Sequence, residues 1–143
     1  MKAIKVLSLV MVFSLSVGMA VNMCEESASA TPMATSVTDK EPLVLTDANF
    51  ESTISKGVVM VDFWAVYCGP CRRQGPIVHE LANDFAGQAK ICKLDVEHNT
   101  NISGKYYIKS IPTIIIFKDG KVMERLVGLR SKSELKKTLK RYL

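Results

Sequence analysis

Cys68 and Cys71 stand three positions apart with Gly69 and Pro70 between them. Two thiols at that spacing can close a disulfide and exchange it with another, or they can supply half of a metal site. What holds them decides between these. The run Val58-Val59-Met60-Val61-Asp62-Phe63-Trp64 is apolar, rich in β-branched residues and of strand length. Gly69-Pro70 ends that pattern and a helical one begins, so the dithiol falls at a helix N-terminus. Free backbone N–H groups and the positive end of the helix dipole favour a thiolate there. Cys68 comes first; it is expected to sit exposed at the helix start and to act as nucleophile. Cys71, one turn further in, lies on the same face within reach of a disulfide. Arg72 and Arg73 would add positive potential beside Cys68.

A structural zinc site would need two more Cys or His ligands at suitable spacing. Cys24 lies in the N-terminal segment, Cys92 is in mid-strand between Ile91 and Lys93, and His79 and His98 are isolated. None forms a second pair, so Cys68 and Cys71 read as a redox pair with no further cofactor or metal. Cys92 reads as a small buried hydrophobe, and His79 and His98 receive no role. In the dithiol mechanism the Cys68 thiolate attacks a substrate disulfide, and Cys71 then attacks the Cys68 sulfur and releases reduced substrate. The second step needs Cys71 deprotonated although it is the more buried thiol. A buried carboxylate can take that proton, because desolvation raises its pKa toward the working range. Asp62, the one carboxylate in the apolar run, is the candidate.

The elements that must position these residues can be read in order. Leu43-Val44-Leu45 is a short strand; Thr46-Asp47 is placed to cap a helix carrying Phe50 and Ile54 on one face, closed by Gly57. Val58–Trp64 is apolar on both faces apart from Asp62, as a central strand covered by helices on each side must be. The helix after the dithiol is expected to run to about Ala86, with Ile77, Val78, Leu81 and Phe85 at helical spacing and Gly87 as its stop. Gly75-Pro76 inside it predicts a kink. Residues 89–96 form the next strand, and Asn99 is placed to cap a short polar helix to about Tyr107. Thr113–Phe117 is another buried strand, and Asp119-Gly120 is the strongest hairpin signal, turning into Val122–Val127. Ser131 with Glu134 makes a capping box for a last helix with Leu135, Leu139 and Tyr142 inward. Alternation of this kind argues for an α/β three-layer domain, parallel strands first and an antiparallel hairpin last.

Asp62-Phe63-Trp64-Ala65 followed by Cys68-Gly69-Pro70-Cys71, then Lys93-Leu94-Asp95, Ile111-Pro112-Thr113, Phe117-Lys118-Asp119-Gly120 and Gly128, resemble the thioredoxin family in type and order. The resemblance covers roughly residues 42–143. It implies a thioredoxin-like sandwich, a central mixed β-sheet flanked by helices. It also implies that Asp62 serves as the proton acceptor, that Lys93 near it tunes its charge, and that Gly69-Pro70 goes with reducing members. A cis bond at Ile111-Pro112 beside the sulfurs is implied too, with the backbone of Ile111 pairing to an extended substrate peptide in β fashion. Trp64 and Tyr67 would form part of the docking surface; Tyr67 stands where the family usually has a second Trp, a change that bears on partner preference more than on chemistry.

The first thirty residues read differently. Lys2 and Lys5 precede an uncharged, mostly apolar run over 6–21, and Ala28-Ser29-Ala30 follows, the layout of a secretory signal cleaved after Ala30, with Ala20 as a second cleavage point. Lipidation at Cys24 and retention as an anchor are weaker readings: Val21-Asn22-Met23 is poor context for the first, and the run falls short of the ~20 residues that span a bilayer for the second. Residues 31–41, rich in Thr, Ser, Ala and Pro, form a flexible spacer, so the domain proper is 42–143. The net charge of +5 is unchanged by loss of the leader. Its excess gathers in Arg130, Lys132, Lys136, Lys137, Lys140 and Arg141, a solvated helix face without the aromatic interleaving of a nucleic-acid surface.

The expectation is therefore an exported, periplasmic or envelope protein-disulfide reductase, a monomer acting on disulfide-containing proteins and drawing electrons from an upstream thiol donor, such as a membrane reductase. Two other readings stay open at this stage: a thioredoxin-fold binding or chaperone-like module, and a dedicated reductase for cytochrome maturation.

Overall fold

A computed structural model of the protein describes residues 40–143. The expected leader at 1–30, Cys24 within it, and the spacer up to residue 39 lie outside the described residues. Nine elements follow in order: β1 (Leu43–Leu45), α1 (Phe50–Ile54), β2 (Val58–Trp64), α2 (Gly69–Asp84), β3 (Lys90–Asp95), α3 (Thr100–Lys105), β4 (Thr113–Lys118), β5 (Lys121–Val127) and α4 (Lys132–Lys140). The five strands make one sheet in the order β1-β3-β2-β4-β5. β1, β3 and β2 run parallel; β4 is antiparallel to β2 and β5 to β4. This is the mixed-sheet sandwich expected from the alternation of elements.

Strand periodicity sorts the core into two layers. Val59, Val61 and Phe63 of β2 join Cys92, Leu94, Ile115 and Phe117 against Phe50 and Ile54 of α1 and Ile102 of α3. The alternate residues Val58 and Met60 join Ile91, Ile114 and Ile116 against Val78 and Leu81 of α2 and Leu135 and Leu139 of α4. α1 has only five residues, too few to be stable alone; its two buried side chains hold it to the sheet.

The Asp119-Gly120 turn forms as expected, with φ of 49° and 78°, the left-handed pair a two-residue hairpin requires. Asp119 also accepts a hydrogen bond from the amide of Gly57 at 2.8 Å, which ties the hairpin to the turn before β2. Ser131 Oγ accepts from the amide of Glu134 at 3.3 Å, but the Glu134 carboxylate turns to Arg130 Nη1 at 2.9 Å rather than completing the capping box.

Two expected caps differ in their side-chain bonds. Asp47 does not cap α1; its carboxylate accepts from the amides of Asn101 and Ile102 at 3.3 and 3.0 Å, at the start of α3. Asn99 occupies the N-cap position of α3 without a side-chain cap bond and instead accepts from the amide of Asp47 at 2.8 Å. A carboxylate is the better partner for a helix N-terminus, and the fold brings one there from a distant part of the chain. The basic face of α4 is also less free than expected: Lys132 pairs with Glu80 and Asp84, and Lys136 with Asp84, across to α2, while Arg141 pairs with Glu124 of β5.

Candidate active site

β2 ends at Trp64 and the chain turns directly into α2, the amide of Cys68 bonding the carbonyl of Ala65 at 3.1 Å. Cys68 is the N-cap of α2; its Sγ accepts from the amide of Cys71 at 3.1 Å and its carbonyl from that of Arg72 at 3.2 Å. Pro70 falls in the first turn, where a missing N–H leaves no bond unmade. Cys68 and Cys71 are joined as a disulfide, S–S 2.04 Å with Cα atoms 5.2 Å apart. The pairing agrees with the spacing, but the expected exposure of Cys68 does not hold: the residue is 7% exposed, its sulfur bonded to that of Cys71 and accepting from the Cys71 amide.

The periodicity that puts Met60 on the α2 face puts Asp62 there too. Asp62 is 3% exposed, paired in register with Lys93 on one side and Ile114 on the other. Its Oδ1 has no hydrogen-bond partner among the described residues, and burial pushes its carboxyl up to about 7. Asp62, Lys93 and Cys71 line one cleft of about 290 Å³, together with Trp64, Arg72 and His79. Lys93 shares this cleft but makes no hydrogen bond or ion pair to Asp62 among the described residues; desolvation accounts for the shift. The arrangement puts a buried carboxyl that titrates at about 7 in the same cavity as the inner sulfur.

Around the pair, Trp64 is half-buried, while Val66 and Tyr67 are exposed. The Ile111-Pro112 peptide is cis. Because β4 runs antiparallel to β2 with Thr113 opposite Phe63, Pro112 falls at the end of β2 that leads to Cys68. Arg73 is exposed on α2. Cys92 is sealed in the sheet and burial pushes its thiol up to about 12, which keeps it out of exchange chemistry. α2 continues through Pro76.

Three features near the site went unread in the sequence. Gln74, completely buried on α2, accepts from the amide of Arg130 at 2.8 Å. It follows Cys71 by three and precedes Val78 by four, so a polar residue in the inward stripe was the available signal. Glu41 pairs with His79 at 2.9 Å on the cleft rim, and the amide of Lys40 bonds Asn83 Oδ1 at 2.8 Å. No local pattern announces contacts so distant in sequence.

The family model for thioredoxin matches residues 41–141. Curated relatives include thioredoxins from Staphylococcus aureus strains Mu50 and MW2, each 46% identical over 99 residues, 69% of this chain and 95% of theirs. Among solved structures, a mutant thioredoxin from Halobacterium salinarum NRC-1 superposes with a TM-score of 0.67 at 33% identity, covering 73% of this chain and 92% of that one. With a disulfide-forming pair at the head of α2, these matches make the protein a thiol–disulfide oxidoreductase of the protein-disulfide-reducing type. The chain belongs to the thioredoxin family.

Proposed function

We propose that this protein is an exported thioredoxin that reduces disulfides in proteins of the cell envelope, with Cys68 as attacking sulfur, Cys71 as resolving sulfur and Asp62 as proton acceptor. The observation that carries the assignment of roles is the buried Asp62 carboxyl, its Oδ1 without a hydrogen-bond partner among the described residues, in the same cleft as Cys71. The Cys68 thiolate attacks one sulfur of the substrate disulfide; a mixed disulfide forms and one substrate thiolate leaves. Asp62 takes the proton of Cys71, the Cys71 thiolate attacks the Cys68 sulfur, and the second substrate thiolate leaves as the Cys68–Cys71 disulfide closes. Two electrons have passed to the substrate through the sulfurs alone, so no other cofactor enters.

Export is supported by the leader pattern at residues 1–30, and it implies an electron source outside the cytosol, a membrane-embedded dithiol that reduces Cys68–Cys71 by the same exchange. Substrate peptide docks along Ile111-Pro112, with Trp64 and Tyr67 beside it. Replacing Cys71 by Ser removes the resolving sulfur and should trap substrates on Cys68. Recovery of a broad set of envelope proteins bound through Cys68 supports the general reductase. A single haem-binding partner would point to cytochrome maturation, and a total lack of trapped species to a binding module.

A further inference from the structure

The loop that joins β5 to α4 touches both the active-site helix and the cis-proline segment. On one side, Gln74 Oε1 of α2 accepts from the amide of Arg130 at 2.8 Å. On the other, the amide of Gly128 donates to the carbonyl of Pro112 at 2.8 Å. Two hydrogen bonds, two residues apart in the loop, therefore link α2 to the Ile111-Pro112 backbone. Gly128 has φ of +87°, a conformation other residues adopt only with strain, so the loop's path is set at that point and Gln74 holds it from the next turn. Gln74 is completely buried, and both its Nε2 and the Nε of Arg130 are buried without a partner among the described residues. A core position that merely needed filling would take an apolar side chain of the same size at less cost. A buried amide with one of its groups unmatched is retained for the bond its oxygen makes.

We propose that Gln74 is a positioning residue for protein substrates: through Arg130 and Gly128 it fixes the Pro112 backbone against the active-site helix, and so sets the groove into which an extended disulfide-bearing peptide docks. The inference rests on the docking of substrate along Ile111-Pro112 advanced above. It leaves the sulfur chemistry alone, because neither hydrogen bond reaches Cys68, Cys71 or Asp62. A substrate that needs the groove feels the loss of Gln74, and a disulfide too small to fill it does not.

The test compares the native protein with Gln74→Met, which keeps length and loses the acceptor, and Gln74→Glu, which keeps an acceptor oxygen. Each is assayed on insulin and on hydroxyethyl disulfide. Loss of one hydrogen bond's worth of docking should raise KM for insulin about fivefold in Gln74→Met at unchanged kcat, leave hydroxyethyl disulfide within about twofold, and be largely rescued in Gln74→Glu. Equal loss on both disulfides, or no change on either, overturns the inference. Thermal unfolding shows which variants fold; where Gln74→Met does not, hydrogen exchange at Arg130 and Gly128, the two amides of the joint, decides in the Gln74→Glu protein, native-like protection supporting the joint and loss at either amide overturning it. Hydrogen exchange of Ile111 in the Cys71→Ser complex with insulin separates the two claims. Protection there with unaltered Gln74→Met kinetics sinks the role of Gln74 alone, and absence of protection sinks docking at Ile111 and the inference with it.

Discussion

Asp62 and Lys93 stand opposite one another on β2 and β3, both facing the cleft beneath α2, yet they form no ion pair among the described residues. The carboxyl is thus left to desolvation, and a neutral Asp62 near the C-terminal end of the central strand is the lower-energy state of the oxidised protein below neutrality. The charged state that can accept a proton costs stability, a common feature of groups held ready for chemistry.

For stability, the sign follows from the raised pKa. Between about 4 and about 7 the folded protein binds a proton at Asp62 that the unfolded chain has released, so stability falls as pH rises through that window and stays low above it. Asp62→Asn should remove this slope and make the oxidised protein more stable at pH ~8 by as much as about 4 kcal/mol. Denaturant unfolding at both ends of the window measures it.

The same substitution should slow the resolving step. Asp62 is protonated below about 7 and cannot then take the proton of Cys71, so the rate of disulfide closure in the native protein should fall as pH drops through that value. In Asp62→Asn that inflection should vanish and the step should be slower by about ten- to a hundredfold at neutral pH. Stopped-flow tryptophan fluorescence during insulin reduction reads the step directly.

Tyr107 sits at φ 51°, one residue past the C-cap of α3, with its amide bonded to the carbonyl of Gly104 and that of Ile108 to Ser103. This is the Schellman arrangement, at the position that glycine favours. The residue is 77% exposed, so little packing would be lost on removing its side chain. Tyr107→Gly should stabilise the protein by about 1 kcal/mol, seen as a rise of about 5 °C in Tm.

Asp47 caps α3 from the far side of β1 with two amide bonds. Asp47→Ala should cost about 1 kcal/mol and Asp47→Asn clearly less. Urea titration of the two variants would show the difference, and faster amide exchange at Asn101 and Ile102 would place it.

Much of this was legible from the sequence, and the reason differs by element. The Val58–Trp64 run and the Asp119-Gly120 turn carry their structure locally, in β-branched composition and in a backbone conformation few residues accept. Cys68 and Cys71 were readable because helical spacing brings them together. Asp47 caps α3 rather than α1, and Asn99 holds the N-cap position of α3 without the side-chain bond, because capping propensity names residues that can cap without naming the helix they reach. Cys68 was expected to be open, since spacing says nothing of what packs around the first sulfur. The place of Gln74 in the inward stripe of α2 was open to reading, but its partner Arg130 and the Glu41–His79 pair depend on segments that meet only after the sheet forms, so no window of sequence contains those contacts.

The central claim is that a Cys68 thiolate, resolved by Cys71, carries electrons to protein disulfides. Insulin reduction in the presence of dithiothreitol tests it most directly, with the native protein beside Cys68→Ala. Catalysis far above the dithiothreitol background, abolished by Cys68→Ala, is the predicted result. A native rate equal to background, or full activity retained in Cys68→Ala, would contradict it.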